Sequence, residues 1–247
     1  GSLGELSFDV ELKGSGAAGT PPEFAHSLVA CGMSETIVAS TSVTYTPATS
    51  NQQYITLYFM QDGVRRILED AVGTFSINLE AGAFGTVSFT FTGHLGTASD
   101  TAFTAGTFDA TVPPSVKGAG FTIGGYAASV SKIALDWGGQ VVTPADVNAA
   151  DGFGQIRVGD WDITGSFDPL ATLLATKDWV GEWEAGTAQA LTTGTIGATA
   201  GNRYAISCPA VSARSVAYAE REAERAYDIG FGAAESAGDD GLSIAFT

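Results

Sequence analysis

Lysine and arginine are scarce in this chain: 11 of them stand against 27 aspartates and glutamates in 247 residues, a net charge of −16. A surface this acidic repels phosphate backbones and excludes a role that grips nucleic acid. Cysteine is scarcer still. Cys31 and Cys208 form no C-x-x-C and sit near no histidine cluster, so two buried free thiols are expected and a disulfide has no support. The only histidines, His26 and His94, have no Ser or Cys nucleophile at a telling spacing, and no triad can be built from them. No apolar run approaches the ~20 residues of a membrane helix, and no signal-peptide pattern leads the chain. Gly1-Ser2 has the form of a cloning remnant, so the native start is expected to lie upstream.

Glycine is plentiful at 32 residues, charged residues are only 15%, and the 45% hydrophobic fraction supports a core. Many Thr, Ser, Gly and Val with few Lys or Glu favour strands and turns over helices. The stretch FSINLEAGAFGTVSFTFTG shows it directly. Phe75, Ile77 and Leu79 alternate with polar residues, a glycine-rich turn follows, and Val87, Phe89 and Phe91 alternate again. Two such runs predict a half-buried hairpin. Tyr54–Met60 and Val64–Glu69 predict another around Gln61-Asp62-Gly63. Further strands are expected in Leu6–Leu12, Tyr126–Trp137, Gln155–Phe167, Arg203–Cys208 and Leu242–Phe246.

Two helices are predicted. Pro21–Cys31 carries Phe24, Leu28 and Cys31 on one face, with Thr20 as N-cap and Gly32 as stop. Pro169–Ala185 carries Leu170, Leu173, Leu174, Lys177, Val180 and Trp183, with Asp168 as cap and Gly186 as stop. Each helix follows a strand, and each half then ends in a hairpin. This is a weak internal repeat of order strand, helix, strand, hairpin. It assigns ARSVAYAEREAERAYDIGFG to a hairpin with a charged tip, although Ala, Glu and Arg favour helix. It divides the chain into modules 1–117 and 118–247, with the seam near Pro113-Pro114. A hairpin-like segment, Phe121–Val142, precedes the second module's first strand. Its counterpart is expected to be missing before Leu6.

Tempting motifs carry little chemistry. GSGAAG at Gly14–Gly19 matches G-x-G-x-x-G, but Thr20-Pro21-Pro22 removes donors where a pyrophosphate would dock, and no cofactor is expected. DVNAADG at Asp146–Gly152 has the wrong spacing for a calcium loop, and no metal is expected. The four tryptophans, Trp137, Trp161, Trp179 and Trp183, fall at core-like spacings.

FDVELKGSGAAGTPPEFAHSLVACGMSET resembles the strand–loop–helix of tailed-phage major tail proteins, the tail tube subunits. SVTYTPATSNQQYITLYFMQDGVRRILEDAVGTFSINLEAG resembles the strands that follow it. ATKDWVGEWEAGTAQALTTGTIGATAGNRYAISCPAV and the ending GDDGLSIAFT are similar to that family's C-terminal half. The resemblance implies a mainly β fold: two tail-tube-like β-sandwich or barrel modules, each with one flanking helix, related to type VI secretion tube proteins. It implies a structural virion protein, not an enzyme. Made in the host bacterial cytoplasm, it would self-associate into rings stacked as a tube, alongside other tail proteins. Three two-module chains would give a pseudo-sixfold trimer; the alternative is a hexamer. DNA would pass through the lumen without tight binding, and no membrane is involved. Glu80, Glu220, Glu222 and Glu224, in or beside the two hairpins, are then candidates for lumen or inter-ring positions, against a plain reading as solvated turn charges.

Two other classes compete. A cell-surface module binding receptor or carbohydrate would show a stable monomer with an aromatic-lined groove. A hydrolase would show two carboxylates in a cleft with raised pKa values.

Overall fold

The computed structural model describes residues 2–103, 105–106 and 108–247; Gly1 lies outside them. In chain order the elements are β1 (Leu3–Glu11), α1 (Ala25–Ala30), β2 (Met33–Val38), β3 (Ser42–Pro47), β4 (Ile55–Gln61), β5 (Val64–Glu80), β6 (Thr86–Leu95), β7 (Ser99–Asp100), β8 (Thr122–Ile123) and β9 (Lys132–Asp136). They continue with β10 (Gly139–Val142), β11 (Arg157–Trp161), β12 (Thr164–Phe167), α2 (Trp179–Glu184), β13 (Gln189–Thr192), β14 (Tyr204–Arg221), β15 (Glu224–Ala234) and β16 (Ser243–Phe246). The fold is mainly β, as the composition predicts.

One sheet follows the path β1-β6-β5-β9-β12-β15-β14-β16-β3-β2, and β10 pairs β11 separately. Within that path the order β1-β6-β5-β9 has a counterpart in β12-β15-β14-β16. In each run the strand before a helix pairs the last hairpin strand, which pairs the first.

The two predicted hairpins of the first half share a strand. β5 pairs β4 through its first residues and β6 through its later ones, in a single run of 17 residues. A bulge bends it where the register with β6 slips between Glu69 and Val72, and Asp70 takes φ +48° there. β14 is also long, at 18 residues. Its first residues pair β16 and its later ones β15.

Alternation decides which face is buried. Phe75, Ile77 and Leu79 of β5, Val87, Phe89 and Phe91 of β6, Ile133 and Leu135 of β9, Phe167 of β12, and Ile229 and Phe231 of β15 share one face by register, and all are buried. Each such side chain contributes roughly 1.5–3 kcal/mol of burial. Val43, Tyr45, Ile244 and Phe246 of the β16-β3 sector join the same core, with Phe24 set between Phe89 and Phe246. Phe75 stacks on Trp137, Trp137 on Trp161, and the Trp137 indole donates to the Cys31 carbonyl at 2.9 Å. Trp137 and Trp179 are core, as predicted, whereas Trp161 is half-buried and Trp183 is exposed.

Both helices are shorter than their periodicity predicts. α1 begins after Pro21-Pro22, and Phe24, not Thr20, is its N-cap. α2 covers only Trp179–Glu184, and Asp178 caps it by accepting from Gly181 N–H at 2.9 Å. Residues 169–171 are not helical because they pair with β15, and a turn closed on the Leu173 carbonyl by Thr176 and Lys177 N–H follows. Leu170 bridges Ala226, Ala171 N–H donates to Arg225, and Leu173 and Leu174 face solvent. The Phe121–Val142 segment is no hairpin either: β8 pairs β13, β9 lies between β5 and β12, and β10 pairs β11.

Candidate assembly surface

The face of the β1-β6-β5-β9-β12-β15-β14 run opposite the core is polar. On β6 it shows Thr86, Ser88, Thr90 and Thr92; on β5, Thr74, Ser76 and Asn78. Ser7 and Thr90 hydroxyls meet there at 3.0 Å. The charges on this face are mostly acidic. By register Glu5, Asp9, Glu11, Glu80, Asp136, Glu224 and Asp228 lie on it, against Lys132, Arg221 and Arg214, whose guanidinium covers Gly232 and pairs with Asp162. Short hydroxyl side chains and carboxylates make a smooth, negatively biased wall that has no reason to hold an anion.

The same run ends in two open edges. β1 pairs only β6. The later part of β14, from Ser212 to Arg221, pairs β15 on one side and has no strand partner on the other among the described residues. Unpaired ladders of this length template the addition of another strand.

The β14–β15 hairpin ends in a two-residue turn, Glu222-Ala223, with φ of +52° and +65°. That is the primed turn that hairpins need, built without the glycine or asparagine that makes it easy. Its tip overhangs. Leu79, Ile133, Phe167, Ile229 and Val216 lie in one row across the sheet. β14 then continues to Arg221, about 16 Å further at the usual strand rise.

The four predicted glutamates fall at this one end. Glu80 closes β5 beside Lys132. Glu220, Glu222 and Glu224 cluster at the overhanging tip, with Glu224 on the polar face, Glu222 in the turn and Glu220 on the opposite face with Tyr218.

A clamp that no sequence motif marks braces this tip. Asp168, expected as a helix cap, instead accepts from the backbone N–H groups of Ser131 and Lys132 at 2.7 and 2.9 Å and from the Ser131 hydroxyl. Arg221 donates to the Asp168 carbonyl at 3.0 Å and to Ser129. Burial pushes the Asp168 carboxyl up, but those hydrogen bonds and the Arg221 charge outweigh it and hold it below the usual carboxylate value. No local motif announces this clamp, because its members come from positions 129–132, 168 and 221.

The dismissed motifs have structural uses. Gly14 N–H donates to the Asn202 side chain and Gly16 N–H to the Gly201 carbonyl, so the glycine loop seats the 201–202 turn. In the DVNAADG segment Asp146 caps its own turn through Asn148 N–H, and Asp151 binds the His94 imidazole. Lys177 is buried, donates to Gln189 and Glu182 at 2.7 Å each, and lies over the Trp179 ring. Cys31 and Cys208 are free and buried, and burial pushes both thiols up.

A family model described as phage tail tube protein matches residues 4–247. None of the curated proteins matches the chain.

Proposed function

Because the chain belongs to the phage tail tube protein family, we propose that it is a structural subunit whose copies close into rings and stack into the channel for DNA passage. The observation that carries this reading is the seven-strand run with one packed face, one smooth acidic face and two open edges. An isolated β-protein blunts its edges; an assembling one uses them. Joining the β1 edge of one copy to the free β14 edge of the next continues the sheet around a bore. The acidic face then lines that bore and repels phosphates, leaving no counterions to release and no tight binding.

The repeated pairing order supports reading residues 1–117 and 118–247 as two modules, with β9 of the second adding to β5 of the first. Three chains would then supply six modules; six chains with the second module outside is the alternative. The place of action is the virion tail, after synthesis in the host bacterial cytoplasm, among other tail proteins. No helix of the described residues is long and apolar enough to cross a membrane.

The test is an obstruction of one edge. Proline at Ser7 and Asp9 in β1 should leave a folded chain that no longer closes rings. Rings that form unchanged would refute the edge-joining account.

A further inference from the structure

A cleft of about 650 Å³ opens between the 48–54 loop, β11 and the end of β15. Its volume is that of a small-molecule site. Gly32, which follows α1, also lines it. α1 packs on the core side of the sheet, where Phe24 sits between Phe89 and Phe246. The cleft therefore lies on that side, away from the acidic face.

Trp161 lines the cleft as a fixed aromatic plane. One ring face rests on Trp137, with centroids 5.1 Å apart. Trp137 is fully buried, stacks on Phe75 and is anchored by its indole bond to the Cys31 carbonyl. A ligand stacking on Trp161 therefore has little side-chain freedom to remove. Tyr54 adds a second half-buried ring, and Asn51, Arg157, Asp160 and Glu235 stand exposed around the two. Among the described residues Arg157, Asp160 and Glu235 are in no ion pair, whereas Asp162, also in the lining, is taken by Arg214.

This lining selects among ligands. It mixes donors with acceptors, and hydroxyl groups need both. Two free carboxylates against one arginine disfavour a phosphate or sulfate. An apolar ligand would bury those polar groups without partners. A pyranose ring suits both halves of the lining: its flat C–H face stacks on an aromatic plane, and its hydroxyl rim meets amides, carboxylates and a guanidinium. We propose that the cleft is a saccharide-binding site, with Trp161 as the stacking platform and Asn51, Arg157, Asp160 and Glu235 as hydroxyl partners. The site goes beyond the tube reading and does not depend on it, because it uses neither the β1 edge nor the later part of β14. On a tube whose bore is the acidic face, it opens outward.

The test is calorimetric titration of the purified full chain with neutral trisaccharides of glucose, mannose and N-acetylglucosamine, with tryptophan fluorescence read in parallel. At least one trisaccharide should bind and shift the fluorescence. Trp161→Ala should weaken that binding about tenfold or more. Asp160→Asn with Glu235→Gln should weaken it likewise while leaving the aromatic stack intact, which keeps the test open should the tryptophan variant unfold. Tyr218→Ala, an exposed ring outside the cleft, should change nothing. No binding of any trisaccharide at about 10 mM would overturn the site. So would binding that survives the cleft substitutions, or that falls equally in Tyr218→Ala. Choline that binds where the trisaccharides do not would make this a cation site and overturn the proposal as well.

Discussion

Arg221 and Asp168 are joined twice: the arginine Nη1 lies 3.0 Å from the Asp168 carbonyl oxygen and 3.4 Å from its carboxylate. The contact ties the overhanging hairpin to the end of β12, and the same carboxylate holds Ser131 and Lys132.

Replacing Asp168 with alanine strands two N–H donors and a guanidinium, at a cost of about 3 kcal/mol. The pH dependence follows from the lowered carboxyl. A group whose folded pKa lies below its unfolded value, about 3.9 for Asp, stabilises fully above that value. Its contribution fades as pH falls through the folded pKa. Urea unfolding between pH 7 and pH 2 should show a midpoint drop below pH 4 that is smaller in Asp168→Ala. Parallel pH profiles for the two proteins would show that the clamp does not contribute.

The tip turn offers a gain in stability. Glu222 and Ala223 both sit at positive φ, where a side chain costs about 1–2 kcal/mol. Glu222→Asn with Ala223→Gly should raise the unfolding free energy by about 1 kcal/mol. No gain would mean that the turn relaxes in solution.

The thiols should be silent until the chain unfolds. Cys31 is fully buried, and burial pushes the Cys208 thiol up to about 12. A thiol reagent at pH 8 should label neither in the native protein and both in denaturant. Rapid native labelling would show the core to be open.

The acidic face predicts how DNA behaves in the assembled tube. Glu5→Lys, Asp9→Lys and Asp228→Lys together should let tubes retain short duplex DNA, with affinity falling steeply as salt rises. Wild-type tubes should retain none. A triple variant that still ignores DNA would place this face away from the bore.

The hairpins were legible because period-2 alternation records both strand and face, and the charged AYAEREAERAY segment was read as a hairpin from its place in the repeat. The helix over 169–185 was misread because Leu170, Leu173 and Leu174 have helical spacing, while residues 169–171 pair with β15, some 55 positions away, and Leu173 sits in the turn that follows. The insertion of β9 between β5 and β12 is non-local in the same way. The glutamates at the tip were visible as charges. That they share one end with Glu80 depends on strand directions that only the pairing reveals.

Electron microscopy of the purified chain at high concentration tests the central claim most directly. The account predicts stacked rings with a central hole, built from three chains or six. A protein that stays monomeric at every concentration, with β1 and the later part of β14 unpaired, would contradict it.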